Sequence, residues 1–125
     1  MGIEFEVEFR GDHVHVQLTP EYRIDPERRD EFWQMIRDVC EGHDCRSVLV
    51  EGYVPPGEHG PAEVVAAGEY TATVPNLWLA FHFQDFVPSE SSELFEAVAA
   101  SKGVRVKFFD STEAALNWLR ANAPR

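Results

Sequence analysis

The chain has 125 residues, 44% of them hydrophobic, and carries 22 Asp and Glu against 11 Lys and Arg, for a net charge of −11. That length fits one domain, residues 1–125, with a core large enough to stand without staples. The charge argues against nucleic acid as the main partner, and two cysteines are too few for a disulfide framework.

Residues 3–9 alternate, with Ile3, Phe5, Val7 and Phe9 on one face and Glu4, Glu6 and Glu8 on the other. Residues 13–18 repeat the pattern, Val14, Val16 and Leu18 opposing His13, His15 and Gln17. Such a period of two marks half-buried strands. A two-residue turn at Gly11-Asp12 joins them into a hairpin in which paired residue numbers sum to 23. That register sets Phe9 against Val14, Val7 against Val16, and Glu8 beside His15. Asp25-Pro26-Glu27 then reads as a helix start, and Phe32, Trp33, Met35, Ile36, Val39 and Cys40 form its apolar stripe, with Gly42 placed to end it. Ser47 to Val50 fits a strand buried on both faces.

A long loop follows, Glu51 to Gly60, stiffened by Pro55 and Pro56. Pro61 opens a second helix, reaching to about Thr71, and Leu77 to Phe83 forms the next strand. Ser89 caps a helix over 90–102 that Gly103 ends, and Val104 to Phe109 is the last strand. Asp110 and Glu113 have the spacing of a capping box for a final helix carrying Ala115, Leu116, Trp118 and Leu119 inward. The fold class is therefore α/β, a mixed five-stranded sheet built from an N-terminal hairpin followed by parallel βα units, with about four helices.

This order, with the C-terminal run from Val104 through Asp110-Ser111-Thr112-Glu113 to Trp118-Leu119, resembles the SpoIIAA-like branch of the STAS superfamily. In that branch a last strand ends in Phe, and a short acidic turn leads into a helix whose Ala and Trp-Leu pack on the sheet. The resemblance implies a non-enzymatic regulatory or binding module. It also implies a Ser or Thr phosphoswitch at the helix after the central strand. Here the matching stretch, Glu51 to Pro61, contains neither residue. The resemblance further leaves room for apolar ligands.

In open α/β sheets ligands gather beyond the carboxyl ends of the parallel strands. Those ends supply the candidate binding residues: Tyr53, Glu58 and His59 after one strand, His82 and Asp85 after another. The expected function is binding of a partner protein or of a small apolar or anionic ligand, with homodimerisation left open. The alternative is a small hydrolytic enzyme using His59 or His82 with a nearby carboxylate. No catalytic residue, metal or cofactor is assigned. Cys40, His43 and Cys45 lack the paired spacings of a zinc site. His13, His15 and Glu8 read as a solvated strand face rather than as metal ligands. No stretch approaches the roughly 20 apolar residues of a membrane span. The start, Met1 to Glu6, lacks the basic and apolar regions of a secretory signal, so a cytoplasmic location is expected.

Overall fold

The alternation of residues 5–18 forms the hairpin it predicts. β1 (Phe5–Phe9) pairs antiparallel with β2 (Val14–Leu18), with Phe9 opposite Val14, Val7 opposite Val16 and Glu8 opposite His15. Gly11 takes φ +93 in the turn, a conformation glycine adopts without the steric cost a Cβ brings. This computed structural model describes residues 5–19, 26–53, 60–84 and 86–123.

Beyond the hairpin the elements are α1 (Pro26–His43), β3 (Ser47–Tyr53), α2 (Pro61–Tyr70), a 3-10 turn (Thr71–Thr73), β4 (Trp78–Gln84), α3 (Glu90–Ser101), β5 (Arg105–Phe108) and α4 (Thr112–Asn122). They make one mixed five-stranded sheet in the order β1-β2-β3-β4-β5, all pairs but the first parallel. Each crossover therefore steps the same way across the sheet. Crossovers of one hand that step in one direction leave their helices on one face. Packing agrees: Ile36 and Cys40 of α1, Tyr70 of α2 and Phe95 and Ala99 of α3 share a core with Val14, Val16, Val48, Val50, Leu79 and Phe81. α2 lies so close to α3 that a Cβ on Gly68 would sit 2.8 Å from the Val98 side chain.

The other face belongs to α4. Its Ala115, Leu119, Leu116 and Trp118 pack on Leu49, Ala80 and Trp78 as a second, smaller core. Two polar ties hold the helix at its ends: Arg120 Nε bonds Asp12 Oδ2 at 2.7 Å, and Thr112 bonds Glu51. Asp12 also receives His13 Nδ1 at 2.6 Å; with Arg120, these hydrogen bonds hold its carboxyl below the usual carboxylate range against the opposing pull of burial.

Three local expectations need correction. α1 runs past Gly42 to His43, and Asp44 takes the left-handed turn (φ +51). Bonds from Cys45 N to Cys40 O and from Asp44 N to Glu41 O close that helix end, and the matching pair from Val104 N to Ala99 O and Gly103 N to Ala100 O closes α3. The cap of α4 is Ser111, whose side chain accepts from Ala114 N, not Asp110. And the face carrying His13 and His15 is not solvated, since both residues are buried beneath their neighbours. The Ser89 cap of α3 stands, completed by a reciprocal bond from Ser89 N to Ser92 Oγ. Asp25, read as the cap of α1, lies outside the described residues.

Candidate functional site

The site follows from the phase of three adjacent strands. Residues two apart share a sheet face, so Leu49 and Glu51 of β3, Ala80 and His82 of β4, and His15 and Gln17 of β2 all look toward α4. The register sets Gln17, Glu51 and His82 side by side in one row, and His15, Leu49 and Ala80 in the row before. The face is apolar where α4 covers it and turns polar toward the carboxyl ends of the strands.

Glu51 is the centre. Its Oε1 accepts from His15 Nε2 at 2.8 Å and its Oε2 from His82 Nδ1 at 2.8 Å. The Thr112 hydroxyl, on the first residue of α4, donates to the same Oε2. The carboxylate thus sits beneath the amino end of a helix, where the backbone dipole favours negative charge. Burial by itself pushes the Glu51 pKa up. The hydrogen bonds from His82, Thr112 and His15 together outweigh burial and bring it down to about 2. Glu51 is therefore ionised at neutral pH, and as an acceptor it fixes which nitrogen of each ring carries a proton: Nε2 in His15, Nδ1 in His82.

The two histidines differ in access. His15 is sealed, its side chain only 4% exposed, whereas His82 is 24% exposed. With Nδ1 committed to Glu51, Nε2 of His82 has no partner among the described residues. A ring anchored this way offers a lone pair at Nε2, able to accept a hydrogen bond or a proton. Next to Glu51, Gly52 takes φ +136 and passes Leu18 so closely that a Cβ there would stand 2.5 Å from the Leu18 carbonyl oxygen. Only glycine fits, and the glutamate is fixed by the chain that follows it. Gln17 Nε2 adds a long bond of 3.4 Å to the Glu51 carbonyl.

Of the residues read from the sequence as binding candidates, His82 is in this cluster and Tyr53 ends β3 with its side chain well exposed. Glu58, His59 and Asp85 lie outside the described residues. The sequence reading gave no part to Glu51, Thr112 or the link from His15 to Glu51. One signal was available, because Glu51 continues the phase of Ser47 and Leu49 and so puts a charge on an inward face. Glu8 is opposite His15 as expected, but its carboxylate bonds Arg10 Nε at 2.6 Å while His15 turns to Glu51.

The metal-like sets do not converge. Cys40 is buried, which drives its thiol pKa up to about 12, and His43 stacks on Phe9 with ring centroids 4.0 Å apart. Cys45 Sγ instead contacts the Ser47 carbonyl at 3.5 Å. Among the described residues, no group of three or more His, Cys, Asp or Glu is arranged to hold a metal ion. No helix among them is long and apolar enough to cross a membrane. No protein-family model matches the chain, and no curated protein matches it.

Proposed function

We propose that this is a binding module of the STAS, SpoIIAA-like type, without enzymatic activity and cytoplasmic in location. It takes a partner protein or a small apolar or anionic ligand at the carboxyl end of its sheet. The observation that carries this reading is the Glu51 cluster. A part-buried carboxylate with three donors holds His82, itself partly open to solvent, near the strand end that carries the exposed Tyr53. A fixed polar group at the rim of an apolar scaffold orients a ligand at little entropic cost. The sheet order and the α4 segment support the family reading, while the stretch from Glu51 to Pro61 has no Ser or Thr for that family's switch. Native mass spectrometry of freshly purified protein tests the binding reading. The expected result is a bound mass that is lost in His82→Ala, with the thermal midpoint of that variant within a few degrees of wild type. Undiminished binding in His82→Ala overturns it.

A second reading rests on one feature of the same cluster. A carboxylate that bonds Nδ1 and leaves Nε2 open is the arrangement that orients a histidine as a general base. A hydrolase built on it loses roughly 10²–10⁴-fold of its rate when the base is removed. Turnover of p-nitrophenyl esters that falls by that factor in His82→Ala selects this reading over the first.

A further inference from the structure

Among the described residues the sheet has an open edge on the far side of β2 from His82, bordered by His15 and Gln17 of the Glu51 cluster. β1 is an edge strand, paired among the described residues with β2 alone. A groove of about 490 Å³ runs along it. Phe5 and Val7 line it with Met35 of α1, a methionine 44% exposed, and on the opposite face of the strand Glu6, Glu8 and Arg10 line it with His15 and Gln17 of β2. An edge strand presents a row of backbone donors and acceptors to any extended segment. What this edge adds is a two-sided pattern, apolar toward α1 and acidic toward the opposite face.

We propose that the β1 edge is a docking site for an extended, basic segment of a partner protein in which Lys or Arg alternates with apolar residues. The segment adds as a sixth strand, its apolar side chains against Phe5, Val7 and Met35 and its cations against Glu6 and Glu8. Charge decides the occupant. Glu6 has no cation partner among the described residues, Glu8 holds Arg10 through Oε1 at 2.6 Å and keeps its second oxygen for another cation, and the whole chain carries −11. The rival occupant is β5 of a second copy, whose Arg105 and Lys107 alternate with Val106 and Phe108. That contact sets two chains of charge −11 against each other, and joining one edge to the opposite edge of the next copy makes a head-to-tail contact that leads to rings or filaments rather than to a two-fold dimer.

The test uses two synthetic peptides of identical composition. One alternates Lys and Val over seven residues; the other has the same residues in two blocks. Fluorescence anisotropy at about 0.1 M salt, where a Debye length near 10 Å keeps local charges in play, should show the alternating peptide binding at least ten-fold more tightly. Glu6→Lys with Glu8→Lys should weaken it ten-fold or more, and so should Met35→Lys, which alters an exposed position and guards against a misfolded double variant. Hydrogen exchange on the unaltered protein should slow at β1 amides when the peptide is present. Equal binding of the two peptides, or unchanged exchange at β1, overturns the proposal. So does self-association that Arg105→Glu with Lys107→Glu abolishes, if the alternating peptide does not compete with it.

Discussion

At the scale of single residues, Glu51 shows how a charge can be kept inside. Unpaired burial would raise its pKa and neutralise it; three donors reverse the outcome. The folded pKa, about 2, lies below the ordinary value of 4.5. The stability this carboxylate contributes is therefore present in full above about pH 4.5 and is lost as the pH falls through the folded value near 2. In urea titrations between pH 4.5 and pH 2, Glu51→Gln should lose stability less steeply than the wild type, and it should be the less stable protein at pH 7. Parallel pH profiles would show that the carboxylate is not held as described. Cys40 stands at the opposite limit, a group buried without an ionic partner, whose thiol stays protonated and serves as apolar filling.

At the scale of elements, α4 rests on a small apolar footprint and depends on its ends. Ser111→Ala should cost ~0.5–2 kcal/mol by removing the acceptor for Ala114 N. Asp110→Ala should leave the urea midpoint nearly unchanged, and the reverse order of effects would move the helix start back by one residue. The sequence alone invites the wrong cap because Asp110 and Glu113 have capping-box spacing, while Ser111 is an equally good capping residue one position on. Strand phase was far easier to read, since a one-residue slip would have turned Val14, Val16 and Leu18 out of the core. The hairpin register and the buried Ser47 to Val50 segment follow from that rule. The histidine face was misread for a related reason. Alternation tells which residues share a face, but whether a helix returns to cover that face is decided by residues a hundred positions away. Arg120 bonding Asp12 is such a contact, and Thr112 on Glu51 spans 61 positions.

At the scale of the whole molecule, the two sides of the sheet do different work. Three helices and the larger core secure one side, with the Phe81, Phe83, Phe86, Phe95 and Phe108 rings in mutual contact there. The other side carries one helix and the polar cluster, so the chemistry sits where the packing is thinner. The division follows from connectivity. A sheet wound steadily in one direction uses up its crossovers on one face and leaves the other to whatever comes after the last strand. The fold class was legible from the order of strands and helices. The position of the cluster was not, because it needs residues from β2, β3, β4 and α4 to meet.

That steady winding also bears on time. β2, β3, β4 and β5 are neighbours in the sheet in the order in which they occur in the chain, so each can add to the one before across a single helical crossover. α4 can dock only when β3 and β4 are already side by side, because its footprint spans both. The expected consequence is a transition state with the sheet largely formed and α4 still loose. Leu119→Ala, which opens a cavity worth about 2–5 kcal/mol, should then accelerate unfolding and leave the refolding rate nearly unchanged, with a φ-value near zero. Val50→Ala in β3 should slow refolding instead; a high φ-value at Leu119 would mean that α4 assembles with the sheet. If α4 is last, so is its hydroxyl on Glu51, and the molecule is otherwise built before His82 is locked in place.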